Sequence, residues 1–90
     1  MEITIGEDAR NLILKKTAEI VLDKKVIKSW SGTYIRPTVY VGKPENEEDY
    51  DKSEVDGITV YYLKKEAGNK NVEIDVKGIG PFKQFVVMGF

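Results

Sequence analysis

Neither cysteine nor histidine occurs in these 90 residues, and that pair of absences sets the terms on which the chain can fold. No disulfide can close a loop, and the soft and borderline ligands that hold zinc, copper or iron–sulfur clusters are missing. A chain this short buries roughly 60–65% of its unfolded surface. Its stability must therefore come from one small hydrophobic core. With 41% hydrophobic and 32% charged residues, it has the composition of an ordinary soluble domain, and a single domain spanning 1–90 is expected. The same absences narrow the chemistry: there is no thiolate nucleophile, and no side chain has an unperturbed pKa in the physiological window.

Hydrophobic spacing supplies the elements. Ile3 and Ile5 alternate with Glu2 and Thr4, the pattern of a short strand. Gly6, Glu7 and Asp8 open a helix, because acids in a first turn face the positive end of the helix dipole. Ala9, Leu12, Ile13 and Lys16 share one face, which predicts a helix over 7–17. Ile20–Leu22 and Val26–Trp30 read as strands, separated by a polar turn at Asp23-Lys24-Lys25. Ser31-Gly32 is a turn signal. Thr33–Val41 alternates well, and Pro37, which cannot donate to a ladder, places that strand at an edge or a bulge. The clearest strand is Val55–Tyr62, whose Ile58, Val60 and Tyr62 share a face, unless Asp56-Gly57 is a tight turn that starts it at Ile58. Residues 63–68 read as a short turn or one helical turn. Val72, Ile74 and Val76 alternate with Glu73 and Asp75. Phe82–Phe90 is apolar on both faces, which predicts a strand that is central or clamped at the core. The fold class is α+β, with one N-terminal helix packed on a small, mostly antiparallel sheet or sandwich of about six strands.

Charge is unevenly placed. The net charge is −1, but seven of the 15 acids lie between Glu45 and Asp56, leaving 13 basic and 8 acidic residues elsewhere. This window reads as a solvated acidic loop. Its carboxylates are oxygen ligands suited to a hard cation, but their spacing does not match an EF-hand loop, and no metal is expected there. With two arginines and scattered lysines, nucleic-acid binding is not expected. No apolar run approaches the roughly 18 residues of a membrane span. Met1–Ile5 lacks the basic and apolar regions of a secretory signal, so a cytoplasmic location without membrane contact is the simplest expectation.

Several stretches together resemble a known family. Met1-Glu2-Ile3-Thr4-Ile5 with Ala9 and Ile13, Trp30-Ser31-Gly32-Thr33-Tyr34, and Asp56-Gly57-Ile58-Thr59-Val60-Tyr61 are similar to segments of the HesB-like family, which includes the A-type iron–sulfur cluster carriers. Pro37-Thr38-Val39-Tyr40-Val41-Gly42-Lys43-Pro44 and Phe82–Phe90 resemble a short subgroup of HesB-like proteins with a Cys-Cys or Cys-selenocysteine pair. The resemblance covers nearly the whole chain and implies a HesB-like fold. It puts the carriers' first cluster cysteine at about Trp30, the subgroup's pair near Ser29-Trp30, and the carriers' Cys-Gly-Cys beyond Phe90. Serine and tryptophan do not replace a thiolate for iron, so this sequence argues against the family's cluster chemistry, and no cofactor is expected.

The leading candidate site is an interaction surface at that position: Ser29, Trp30, Ser31, Gly32, Tyr34 and Arg36. Trp, Tyr and Arg are the types most enriched at binding hot spots. Two readings of Trp30 stay open, a core aromatic filling the space of a lost site or an exposed contact residue. Gly78-Ile79-Gly80-Pro81 lacks the following helix and Lys-Ser/Thr pair of a phosphate loop and reads as a turn. Lys28 and Ser29 are strand neighbours pointing to opposite faces, so they form no dyad. A carboxylate pair would need a closed pocket that 90 residues hardly afford. The expectation is a non-enzymatic module contacting a protein partner, compatible with a homo-oligomer. The alternative is a metal or iron–sulfur accessory role with oxygen or interface ligands.

Overall fold

Period-two hydrophobicity dominates the chain, and it resolves into seven strands in two sheets. The computed structural model describes residues 1–66 and 68–90. In order these are β1 (Glu2–Ile5), α1 (Glu7–Leu14), β2 (Glu19–Ser29), β3 (Gly32–Val41), β4 (Tyr50–Val55), β5 (Ile58–Leu63), β6 (Asn71–Lys77) and β7 (Gln84–Met88). Single 3₁₀ turns lie at Glu47–Asp49, Lys64–Glu66 and Gly80–Phe82. Ala67, part of the turn expected over 63–68, lies outside the described residues.

One sheet runs β3-β2-β5-β4 and the other β1-β6-β7. Each contains a parallel pair, β2 with β5 (Ile20 beside Val60) and β1 with β6 (Ile3 beside Val72). The other three pairings, β2–β3, β4–β5 and β6–β7, are antiparallel, so the arrangement is mostly antiparallel as expected, but both sheets are mixed. Parallel partners cannot be joined by tight turns, and here they are far apart in sequence, where local spacing carries no trace of them.

The inner faces of both sheets and one face of α1 meet in a single core. Ile13, Ile20, Leu22, Ile58, Val60 and Ile74 are fully buried there, with Ala9 from the helix. Burial of each large side chain stabilises the fold by about 1.5–3 kcal/mol. Among the described residues no polar or charged residue is buried. The core is thus held by apolar packing, as a chain without disulfides requires.

Helix α1 starts where its first-turn acids predict but stops at Leu14 rather than residue 17. The Lys16 and Thr17 amides both donate to the Ile13 carbonyl at 2.9 Å, tightening the chain into a turn. The break expected at Asp23-Lys24-Lys25 is absent, and β2 runs on to Ser29. Asp23 and Lys24 are accommodated because their heads find partners outside the core, and Lys25 because it is exposed. The Asp23 carboxylate accepts the Tyr50 hydroxyl at 3.4 Å. The Lys24 ammonium donates to Glu66 at 2.9 Å and lies 5.0 Å from the centre of the Phe90 ring. Lys70 makes the same two contacts, at 3.1 and 5.1 Å.

Two further expectations are corrected. The acidic window is only partly loop, since Tyr50–Val55 forms an edge strand, and charges on an edge discourage pairing with other chains. Of the two expectations for the last strand, the central one is corrected, because β7 is an edge strand; it is clamped at the core through Phe85 and Val87, while Met88 on its other face is half exposed. Of the two readings at Asp56-Gly57, the tight turn holds, and the strand begins at Ile58 rather than Val55. Both residues have positive φ, 50° and 82°, and close the pair Val55–Ile58. Pro37 does lie on an edge strand. Among the described residues no helix is long and apolar enough to cross a membrane.

Candidate functional site

The register of β2 with β3 carries this hairpin well past the core. Leu22 and Val39 form the last buried pair. Ser29 pairs with Gly32 seven residues further on, roughly 20 Å away at strand rise. Trp30 and Ser31 make the connecting turn with negative φ, and Gly32 supplies the left-handed φ of 143° that brings the chain back into register. Space is not the reason for glycine, because a Cβ there would meet nothing within 4 Å.

Trp30 is 100% exposed, which decides between the two sequence readings: it is a surface residue. Around it, Ile35 (66%), Val26 (57%) and Tyr34 (53%) are also exposed. Val26 and Ile35 are cross-strand partners on the side that faces the core nearer the body, while Tyr34 opposes Ile27 on the other side. The Ser29 hydroxyl donates to the Gly32 carbonyl at 3.2 Å, and lies 3.1 Å from the Ser31 hydroxyl, itself 3.0 Å from Tyr34. Each hydroxyl has one proton, so the chain runs from Tyr34 to Ser31 to Ser29 to the carbonyl. Of the six predicted residues, five gather at the tip. Arg36 sits lower on the stem and reaches Gln84 of β7 at 3.5 Å. From Lys24 to Arg36 the hairpin carries four basic residues and no acid.

The outer face of the larger sheet holds a second group, missed by sequence reasoning. The Tyr61 hydroxyl donates between Glu19 (3.0 Å) and Glu47 (3.3 Å), and Lys43 lies 3.8 Å from Glu19. Burial, then the hydrogen bonds and charge of those carboxylates, push the Tyr61 phenol up to about 12. Burial, then Asp23, raise that of Tyr50. Beside them Tyr40, Tyr50, Val21 and Asp23, with Lys43–Asn46, line an open cleft of about 440 Å³. The sequence signal was weak: Tyr40 was visible on an alternating strand, but the strands that bring Tyr50 and Tyr61 beside it are set by long-range pairing. Among the described residues no three His, Cys, Asp or Glu side chains converge as a metal site. The acids of the 45–56 window are dispersed, with Glu47 on Tyr61 and Glu54 accepting from Thr59 at 3.1 Å.

The strand–helix lead-in and the two mixed sheets fit the HesB-like fold that the sequence implies. The fold is similar to the crystal structure of Escherichia coli SufA, involved in biosynthesis of iron-sulfur clusters, over 98% of this chain and 80% of that one, with a TM-score of 0.59 and 17% identity. The chain belongs to the CC/Se motif containing family, whose model matches residues 1–90. A search of curated proteins finds no match. The chain has no cysteine, and the tip where the resemblance places the family's pair holds Ser29 and Trp30.

Proposed function

We propose that this protein is a cluster-free HesB-like domain that works without catalysis, by docking the β2–β3 tip against another protein. The observation that carries the reading is Trp30, wholly exposed at the point of an overhanging hairpin. A tryptophan contributes roughly 150–250 Å² of burial, so seating it on a partner is worth about 4–6 kcal/mol before ordering costs. That replaces coordination by apolar contact at the same place in the fold.

Two measurements test the two halves of the reading. Protein handled without oxygen and exposed to ferrous iron and sulfide is expected to retain no iron and to stay colourless; stoichiometric bound iron would overturn the cluster-free half. A photo-crosslinking residue at position 30 is expected to trap a protein that the same residue at exposed Lys65 does not. Equal trapping at both sites would sink the docking half. An accessory role in iron–sulfur cluster biosynthesis, with oxygen or interface ligands, is the second reading, supported by the fold shared with SufA. It predicts bound iron that is lost when Glu45, Glu47 and Glu48 are replaced by Gln.

A further inference from the structure

The tip and the tyrosine cleft are complementary, and we infer that the tip of one copy seats in the cleft of a second copy of this chain. This deepens the docking reading by naming the partner. Between Lys24 and Arg36 there is no acid. Lys24 is committed to Glu66, and among the described residues Lys25, Lys28 and Arg36 at the tip and stem form no salt bridge. The cleft presents the opposite charge through Asp23 and Glu45, with Glu47 alongside, and its one cation, Lys43, is drawn toward Glu19.

Apolar chemistry matches as well. Val21, Tyr40, Tyr50 and Pro44 offer an indole apolar and aromatic walls. The opening, about 440 Å³, lies within the range of ligand-holding clefts. Lysines beside tyrosine faces add cation–π attraction. The contact cannot form within one molecule. Val21 and Ser29 lie on the same continuous strand, roughly 26 Å apart at strand rise, and a paired strand cannot fold back on itself. Basic charge alone would also suit an anionic membrane or a nucleic acid, but neither has any use for the acidic, tyrosine-lined cleft.

The test is sedimentation of the full chain from micromolar to millimolar concentration, with Trp emission read alongside. Trp30 is the one tryptophan, so its emission reports the tip directly. Association is expected with a blue shift, and with at least tenfold weakening near 1 M salt, where the Debye length falls to about 3 Å. One variant, Lys25→Glu with Lys28→Glu, spoils the tip; another, Tyr40→Arg with Glu45→Lys, spoils the cleft. All four positions are exposed, and circular dichroism checks that both variants fold. Each alone is expected to stay monomeric, while their mixture recovers a complex, because one supplies an intact cleft and the other an intact tip. A wild-type chain that is monomeric at millimolar concentration would overturn the inference. So would association that the mixture fails to recover, or a tip that binds anionic vesicles or nucleic acid equally well in the cleft variant without self-association. None of these outcomes depends on iron, so failure here is distinct from failure of the cluster-free reading.

Discussion

Replacing Trp30 with alanine separates a surface role from a packing role. The side chain is 100% exposed, so no apolar area returns to water when it is removed, and at about 25 cal/mol per Å² the burial term is nil. Surface changes of this kind fall within about ±0.5 kcal/mol, whereas a core tryptophan costs about 3–5 kcal/mol. The internal standard is Ile58→Ala, at a fully buried position, for which about 2–5 kcal/mol is expected. Urea unfolding followed by far-UV circular dichroism reads both. Dilute protein keeps self-docking from adding to the wild-type value, and an unchanged slope shows that both states are the same. Red-shifted emission, readily quenched by acrylamide, is expected of the wild type. A loss above about 2 kcal/mol for Trp30→Ala would refute the exposed-tip geometry, and with it the docking reading.

Two titrations probe the outer contacts. Hydrogen bonds from Lys24 and Lys70 hold the Glu66 carboxyl below its ordinary 4.5, so its contribution is present above that pH and is lost as pH falls through the lowered value. Glu66→Gln should flatten the acid limb of the stability curve, and an unchanged limb would contradict the clamp. Tyr61 titrates near 12 rather than 10.0, so its contribution is complete below about pH 10 and disappears as pH rises from there toward 12. Absorbance titration should show that Tyr61→Phe removes the last-ionising phenolate, and that Glu19→Gln with Glu47→Gln brings it down.

Elements whose periodicity comes from packing on the core were legible in the sequence. Ile58, Val60 and Tyr62 share the buried face of β5 as their alternation predicts, and Ala9 and Ile13 face inward from α1. The failures have one physical source, that polar residues in strands look like loops until their partners are known. Asp23-Lys24 reads as a turn because nothing local announces Tyr50, Glu66 and Phe90 waiting on other elements. Strand β4 was hidden by its acids, which an edge tolerates. Apolar residues on both faces of β7 suit a central or a core-clamped strand alike, and it is the pairing of β6 with β1 that leaves β7 at the edge with one face on the core. At the candidate site, Ser29–Tyr34 was found from residue types, but Trp30 stayed ambiguous. What exposes it is the length of the hairpin relative to the core, a property of register rather than of residue identity. The tyrosine cleft needed three strands and a loop to be assembled before it existed at all.

The parallel pairing of β1 with β6 also orders events during synthesis. Glu2 pairs with Asn71, so β1 has to wait for about seventy residues to be made and for the entropy of closing that loop to be met. Hairpins β2–β3 and β4–β5 close over two-residue turns and can form as soon as each leaves the ribosome. During that interval Ile3, Ile5, Ala9 and Ile13 have no partner on β6, while Trp30 and its neighbours already have their final neighbours. The β2–β3 hairpin, with Trp30 at its tip, can therefore close before the core that β6 completes.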